Sequence, residues 1–218
     1  PLEIINRFAS KIGKTIVEGY GLSEASPVVS INSPHKVKPT SIGRALPGVD
    51  VRIMWNGREL PRGEIGELVV RGPNVMAGYF GLPEETAKTI EDGWLHTGDL
   101  GYMDKEGYLY IVDRLKDLII TSGENIYPRE IEELLYSHPA IAEAAVVGVP
   151  DKLRGQVACA YVVLKEGQEV DVKALRTFLL ENLAAYKVPR DFIFVPELPK
   201  NSTGKILKRV LSEQATAD

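Results

Sequence analysis

The sequence predicts an α+β protein whose strand-rich first part is followed by a small unit with the element order β-α-β-β-α-β. Short extended runs joined by glycine-containing turns dominate the chain up to about residue 113. Beyond that point, two amphipathic segments of helical period alternate with apolar runs of strand length. The alternating charges of residues 113–117 separate the two patterns, so we expect one domain over 1–113 and a second over 114–218.

The first part is expected to contain extended segments at residues 49–55, 67–71 and 107–112. The first of these ends at Asn56-Gly57, which predicts a two-residue hairpin turn because both residue types accept a positive φ. A second turn signal, residues 104–107, introduces the third segment. Together the segments predict a β-rich sheet or an open barrel.

The second part shows a regular alternation of strands and helices. The expected strands are residues 118–121, 143–149, 157–164 and 191–195. Pro128 is expected to open a helix that ends near residue 138, since proline is favoured at the first helical position. Asp171 is expected to cap a second helix, and its apolar stripe consists of Val172, Leu175, Phe178, Leu179 and Leu183. A last helix is expected over about 205–214.

Composition excludes several classes of protein. The 218 residues carry a formal net charge of -4 with no evident basic face, which argues against a nucleic-acid partner. The longest apolar runs, such as 142–149, are too short to cross a bilayer. The single cysteine, Cys159, excludes an internal disulfide and indicates a reducing compartment, for which we expect the cytoplasm. The chain opens on Pro1 in a helix-like stretch, so we expect a piece of a longer protein.

A first polar segment, residues 19–24, has the composition of a ligand site. Glycines 19 and 21 flank Tyr20, so the backbone there can approach a flat ligand closely. The hydroxyl of Ser23 and the carboxylate of Glu24 suit a phosphate and its Mg²⁺. The alternative interpretation is a glycine-rich turn with a surface glutamate.

A second polar segment covers residues 94–100. Asp99 follows Thr-Gly and can accept two hydrogen bonds at once, as a ribose diol would offer. An ordinary Asx turn ahead of a strand is the alternative. His96 is interpreted as a surface or structural histidine, because the sequence shows no partner for it.

A third polar region comprises residues 113–117 and 121–125. Its alternating charges indicate a solvated hinge, and Gly123 follows a strand and precedes a helix, where a ligand can pass close to the backbone. A salt-bridged linker with a helix cap is the alternative.

The fourth segment, residues 198–205, superficially resembles a phosphate loop. It departs from the Walker pattern, because Pro199 stands where a glycine is needed and Ile206 where a serine or threonine is needed. Lys205 therefore lies on a polar loop, from which it can deliver one positive charge to a reaction centre. A solvated lysine before a helix is the alternative.

In this order and at this spacing, the four segments resemble the adenylate-forming superfamily of acyl-CoA synthetases, aryl-CoA ligases, beetle luciferases and peptide-synthetase adenylation domains. The resemblance extends over residues 17–208 and includes the block 66–72, the pair Gly78-Tyr79 and residues 130–132. It implies that residues 1–113 are the β-rich end of a large N-terminal domain, and that residues 114–218 form a small C-terminal lid.

The resemblance also implies roles for individual residues. In the first part, Tyr20 beside Gly21 would stack on adenine, Ser23 would contact the α-phosphate, and Glu24 would hold Mg²⁺ and act in catalysis. Asp99 would bind the ribose hydroxyls of ATP or AMP, helped by Arg114.

Further roles fall on the lid and on the acid pocket. Lys116 would be the hinge, and Gly123 would line the channel for the pantetheine arm of coenzyme A. Lys205 would be the catalytic lysine that bridges the substrate carboxylate and the α-phosphate. The pocket wall would include the small apolar residues Ala25, Pro27 and Val28.

The implied activity is the joining of a carboxylic acid to AMP and then to coenzyme A. The sequence is most similar to those of fatty-acyl-CoA ligases, and this resemblance implies a medium- or long-chain fatty acid as the substrate. Aryl-CoA ligases of the coumarate type are nearly as similar and are the alternative. The alternative from another functional class is a non-catalytic binding fragment. The sequence does not decide whether the protein forms a homo-oligomer. The family's loop for the β- and γ-phosphates is not found in these 218 residues, so we expect the chain alone to have little or no adenylating activity.

Overall fold

The computed structural model describes residues 2–215 and divides into two units, one ending at Leu115 and one beginning at Lys116. The α+β class predicted from the sequence is confirmed, and strands outnumber helices within the described residues. Within residues 2–215, no helix has the length and apolar character needed to cross a membrane.

The first unit is built mainly of antiparallel strands. Its elements are α1 (Leu2–Ile12), β1 (Gly19–Gly21), β2 (Val28–Ile31), β3 (Arg44–Ala45), β4 (Asp50–Trp55), β5 (Arg58–Glu59), β6 (Gly66–Arg71), α2 (Pro83–Thr89), β7 (Ile90–Glu91), β8 (Trp94–Met103) and β9 (Leu109–Arg114). β1, β2 and β3 form a small sheet, and the other six strands form a second sheet in the order β5-β4-β6-β8-β7, with β9 paired to β8. Alternate residues of β4 and β6, such as Val51, Ile53 and Leu68, point into one shared core.

The hairpin predicted at Asn56-Gly57 is confirmed. Both residues have positive φ, 49° and 74° respectively, and they join β4 to β5 with Trp55 opposite Arg58. The primed turn matches the twist of the two strands it connects, which explains why so short a loop suffices.

Strand β8 was not predicted. It is ten residues long, yet it contains polar and glycine residues where an apolar alternation would be expected. It is a strand because it pairs with β6 and with β9, so pairing with its neighbours, and not an apolar alternation of its own, defines it. The strand expected at 107–112 is β9, which begins at Leu109 and continues to Arg114.

The second unit contains β10 (Ile119–Thr121), β11 (Glu124–Ile126), α3 (Pro128–Ser137), β12 (Ile141–Asp151), β13 (Gly155–Leu164), α4 (Val172–Leu180), β14 (Asp191–Phe194) and α5 (Lys208–Ala215). Its sheet has the order β11-β10-β13-β12, and β14 runs parallel to β13. The predicted β-α-β-β-α-β order is confirmed, with the short β11 as an unpredicted addition.

Helices cover both faces of this sheet. On one face, Ile131 and Leu135 of α3 and Leu175 of α4 are fully buried against the sheet. On the other, Leu211 of α5 packs with Tyr161 of β13. Each fully buried leucine or isoleucine stabilises the fold by about 1.5–3 kcal/mol relative to an exposed one.

Three local expectations for the second unit need correction. Gly123 does not precede a helix directly, because β11 intervenes. The last helix begins at Lys208, since residues up to 207 form a hydrogen-bonded loop. Asp171 occupies the N-cap position of α4, but its side chain makes no capping hydrogen bond within the described residues.

Cys159 lies in β13 and is buried, as expected from its apolar surroundings. Burial raises the pKa of its thiol to about 11, so the reactive thiolate is scarce at neutral pH.

Candidate functional site

Tyr20 and Asp99 meet in the first unit, although they come from different sheets. The Tyr20 hydroxyl donates a hydrogen bond of 2.5 Å to Oδ2 of Asp99. Arg114 is paired with Asp99 across β8 and β9, and its Nε lies 3.7 Å from Oδ1. Burial, and next the Asp99 carboxylate, hold the pKa of Tyr20 well above its usual value, so the hydroxyl remains a donor.

Asp99 is presented by an irregular stretch of β8, which we call the 97–99 bulge (Thr97, Gly98 and Asp99). Val69 is paired with His96 and Glu67 with Leu100, so these three residues of β8 lie opposite the single residue Leu68. Gly98 has a φ of 69°, in the left-handed region that favours glycine. The bulge turns the Asp99 carboxylate out of the regular strand direction and toward Tyr20.

Side chains supply the hydrogen bonds that a regular strand would make at this point. Thr97 Oγ1 donates to the carbonyl of Leu68 at 2.8 Å and accepts from the Asp99 N–H at 3.1 Å. The Gly98 N–H donates to Oε1 of Glu67 at 3.0 Å.

His96 has a carboxylate partner that the sequence did not reveal. Its Nδ1 lies 2.8 Å from Oε2 of Glu67, and the Glu67 side chain is only 15% exposed. Because a carboxylate only accepts hydrogen bonds, Nδ1 is the donor. The second ring nitrogen is 3.8 Å from Glu91, outside hydrogen-bond distance. His96 is thus held within the sheet, in line with the structural role expected for it.

Glu24 lies in a short 3₁₀ turn, Ser23–Ala25, directly after β1. The hydroxyl of Tyr79 donates to Oε1 of Glu24 at 2.9 Å, which engages one of its two carboxylate oxygens. That hydrogen bond, followed by burial, raises the pKa of Tyr79. The Met76 N–H donates to the Glu24 carbonyl at 2.9 Å, so the loop after β6 holds both the backbone and the side chain of this residue.

The neighbours of Glu24 differ in exposure. Ser23, Pro27 and Val28 are exposed, whereas Ala25 is fully buried in the core of the unit. Gly21 is required by the fold itself, because a Cβ at that position would lie 1.7 Å from the carbonyl oxygen of Pro27. The close approach at Gly21 is therefore between two parts of this chain.

In the second unit, Lys205 lies on an organised loop. Asn201 Oδ1 accepts from the N–H groups of Thr203 and Lys205, at 3.1 and 2.8 Å, and the Asn201 N–H donates to the Lys205 carbonyl at 2.9 Å. Gly204 has a φ of 82° and completes the turn. The Lys205 residue itself is exposed, so its backbone is held while its side chain faces solvent.

Two ion pairs anchor the ends of this loop. Lys200 pairs with Glu143 at 2.7 Å, and Lys208 pairs with Glu132 at 2.8 Å. The second pair is largely shielded from solvent, with side-chain exposures of 22% and 15%. The loop between them is thus fastened to β12 and α3.

Gly123 is at the tip of the β10–β11 hairpin. Ser122 and Gly123 have φ values of 50° and 86°, which makes the turn another primed two-residue turn. A Cβ at Gly123 would meet no described atom within 4 Å, so here the backbone conformation, and not crowding inside this unit, favours glycine. Lys116 is exposed in a short 3₁₀ turn, Leu115–Asp117.

The structure therefore brings Tyr20, Asp99 and Arg114 into one cluster of the first unit, whereas Lys116, Gly123 and Lys205 belong to the second. Sequence reasoning gave no role to Glu67 and Tyr79, although both lie in segments that carry the resemblance. Their polarity next to glycine, at Gly66-Glu67 and Gly78-Tyr79, was the available signal.

Comparison with known proteins adds two matching family models. The model of the AMP-binding enzyme family matches residues 1–80, and that of the AMP-binding enzyme C-terminal domain matches residues 130–205. The chain is 52% identical to a long-chain-fatty-acid CoA ligase of Bacillus subtilis, over 99% of this chain and 39% of that protein. It is 44% identical to a feruloyl-CoA synthase of Amycolatopsis, over 95% of this chain and 43% of that protein.

Among solved structures, the ATP-bound MatB protein of Rhodopseudomonas palustris matches with a TM-score of 0.93 and 40% identity. The match covers 98% of this chain and 43% of the MatB chain. The present chain thus spans about two fifths of the length of these relatives.

Proposed function

Since this chain belongs to the AMP-binding enzyme family, we propose that it is the C-terminal portion of an ATP-dependent acyl-CoA synthetase. In the first half-reaction, a carboxylate attacks the α-phosphorus of ATP, forming acyl-AMP and releasing pyrophosphate. In the second, the thiol of coenzyme A attacks the acyl carbonyl, forming the thioester and releasing AMP. We place the protein in the cytoplasm, in keeping with its single, unpaired cysteine.

The cluster of Tyr20, Asp99 and Arg114 is the observation that carries the proposal. A carboxylate accepts from both hydroxyls of a ribose diol, and an aromatic ring next to it offers a face for the base. The 2.5 Å hydrogen bond between Tyr20 and Asp99 holds these two groups together in advance of binding. Arg114 adds a positive charge beside the carboxylate.

Glu24 fits the role of the Mg²⁺ ligand. Mg²⁺ prefers oxygen ligands and is commonly held by one or two carboxylates together with substrate phosphates. Glu24 offers such a carboxylate, oriented by Tyr79 through Oε1. When bound, Mg²⁺ neutralises part of the charge that builds on the phosphate oxygens. Ser23, exposed next to Glu24, is placed to contact the α-phosphate.

Lys205 supplies the other positive charge for the first half-reaction. Attack of a carboxylate on ATP brings two anions together, and an ammonium group at their junction offsets the repulsion where charge develops. Gly123 serves the second half-reaction, in which the pantetheine arm must reach the acyl carbonyl past an uncrowded backbone. We assign the exchange between these two residues to rotation about Lys116.

We propose a medium- or long-chain fatty acid as the substrate. The support is the 52% identity to the long-chain-fatty-acid CoA ligase, which exceeds the 44% identity to the feruloyl-CoA synthase. The second of these relatives favours an aryl acid of the coumarate type as the other candidate. The exposed residues Pro27 and Val28 suit either acid as part of the pocket wall. Ala25, expected to share that wall, is instead buried in the core of the unit.

The test is a panel of carboxylic acids given to the full-length protein together with ATP, Mg²⁺ and coenzyme A. We expect release of AMP and formation of a CoA thioester, identified by mass spectrometry, with medium- or long-chain fatty acids. If ferulate or coumarate is preferred, the substrate is an aryl acid and the proposal of a fatty acid is wrong. Absence of AMP release with every acid, by a protein that is folded, would exclude a synthetase and leave a non-catalytic binding protein.

A further inference from the structure

We propose that Glu67 is a positioning residue for nucleoside recognition, because its carboxylate holds the 97–99 bulge that presents Asp99 to the ribose. This inference rests on the proposed function and goes beyond it, since Glu67 itself touches neither nucleotide nor acid in the proposed scheme. Its effect reaches the ribose only through the backbone of β8.

The 97–99 bulge interrupts the hydrogen-bond ladder between β8 and β6 at Asp99 and the two residues before it. Where three residues face one, their N–H groups lose their ladder acceptors and need other partners. Thr97 supplies the acceptor for the Asp99 N–H, and Glu67 supplies the acceptor for the Gly98 N–H. The shape of the bulge therefore depends on two side chains, of which only Glu67 belongs to the neighbouring strand.

Both carboxylate oxygens of Glu67 are engaged. Oε1 accepts from Gly98 in the middle of the bulge, and Oε2 accepts from His96, the residue directly before it. The Glu67 side chain is largely buried, so these two hydrogen bonds are shielded from water. Glu67 thus fixes two points of β8 at once and ties them to β6, which is a central strand of the sheet.

Asp99 follows Gly98 directly, so a change in the bulge moves its carboxylate. Two other contacts, from Tyr20 and from Arg114, reach that carboxylate from β1 and β9. Tyr20 reaches the side chain of Asp99, whereas Arg114 also pairs with its backbone across β8 and β9. Glu67 holds the bulge from the other neighbouring strand, β6. Loss of Glu67 is therefore expected to weaken binding of the ribose hydroxyls in particular, and to leave the acid and coenzyme A unaffected.

The test compares ATP with 3′-deoxy-ATP as substrates of the full-length protein. In Glu67→Ala we expect kcat/KM for ATP to fall roughly 10- to 100-fold, the range for a lost hydrogen bond to a charged group, and kcat/KM for 3′-deoxy-ATP to change far less. The preference for ATP then collapses, while the KM values for the acid and coenzyme A stay constant. A general loss of structure would lower kcat/KM for ATP and for 3′-deoxy-ATP by the same factor, so the preference for ATP would be kept.

Three variants sharpen the comparison. Glu91→Ala is the matched control, because Glu91 lies near the same histidine but does not contact the bulge; it should behave as the wild type. Glu67→Gln keeps an acceptor for Gly98 and should restore most of the preference. Glu67→Asp keeps the charge but is one methylene too short to reach both partners. It should lose part of the preference, and it serves as the test if the alanine variant does not fold.

Asp99→Ala separates the two levels of the argument. If it retains the preference for ATP over 3′-deoxy-ATP, the proposed ribose role of Asp99 is wrong. If it loses the preference but Glu67→Ala and Glu67→Asp retain it, only the positioning role of Glu67 is overturned. In the double variant, loss of Glu67 should add nothing to the effect of losing Asp99, because both act on the same contact.

Discussion

The hydroxyl of Tyr20 donates directly to the carboxylate of Asp99, although the two residues are 79 positions apart in the sequence. Tyr20 belongs to the small sheet of the first unit and Asp99 to the large one. The hydrogen bond joins two segments that the sequence could relate only by resemblance. It also means that the aromatic face of Tyr20 and the carboxylate proposed to bind the ribose diol are held together within the first unit.

We expect Tyr20→Ala to lower kcat/KM for ATP more than Tyr20→Phe does. The phenylalanine variant keeps the ring and removes only the hydrogen bond to Asp99, whereas the alanine variant also removes the stacking surface. Stacking of a base on an aromatic side chain contributes about 1–3 kcal/mol, so the alanine variant should lose roughly 10-fold more than the phenylalanine variant. ATP–pyrophosphate exchange in the full-length protein measures this. Equal losses of kcat/KM in both variants would show that the base of ATP does not stack on the Tyr20 ring.

Tyr79→Phe should raise the Mg²⁺ concentration needed for half-maximal adenylation several-fold. The variant removes the hydroxyl that orients Glu24 and leaves the packing of the ring unchanged. Because the pKa of Tyr79 is raised above its usual value of about 10, the hydroxyl stays protonated and the difference from the wild type should persist from pH 7 to pH 9. The matched control is Tyr102→Phe, whose ring stacks on Tyr110 away from Glu24. A Mg²⁺ requirement identical to the wild type would contradict the role of Tyr79.

Lys205→Ala should separate the two half-reactions. Adenylation is expected to fall roughly 100-fold or more, as when a group that stabilises developing charge is lost. Thioester formation from pre-made acyl-AMP should fall much less, because its charge develops at the carbonyl. Lys152→Ala, which removes another exposed lysine of the second unit, is the control. Equal loss in both half-reactions would argue that Lys205 stabilises the fold and does not act in the first step.

Asn201→Ala should weaken adenylation through Lys205. The substitution removes the acceptor for the Thr203 and Lys205 N–H groups, so the loop loses the bonds that define its turn. We expect a loss of roughly 10-fold in adenylation and little change in the second half-reaction. The double variant with Lys205→Ala should be no slower than Lys205→Ala alone. An additional loss in that double variant would mean that Asn201 acts elsewhere.

Gly123→Leu should impair thioester formation and spare adenylation. Any side chain there must adopt a φ of 86°, which costs about 1–2 kcal/mol of stability, and it would also occupy the proposed path of the pantetheine arm. Gly167→Leu is the matched control, because Gly167 has a φ of 71° and equally open surroundings in the same unit. The melting temperature should fall by a similar amount in both variants, but only Gly123→Leu should lose thioester formation. If the control loses it as well, the effect is one of stability.

The elements that could be predicted are those whose signal is local. The apolar stripe of α4 and the Pro128 start of α3 were visible because helix periodicity repeats within a few residues. The Asn56-Gly57 turn was visible because its conformation is set by two residue types. Strand β8 was not visible, because its residues His96 to Gly101 show no apolar alternation. It is a strand because it pairs with β6 and β9.

The same division holds for the site. By itself, the sequence determined the candidate residues that we propose for a nucleotide and an acid, namely Tyr20, Glu24, Asp99 and Lys205, and placed them in two successive parts of the chain. Only the tertiary structure decided that Tyr20 contacts Asp99, that Tyr79 holds Glu24, and that Glu67 ties down the bulge. Those contacts join residues 31 to 79 positions apart, and they depend on strand register, which local sequence does not encode.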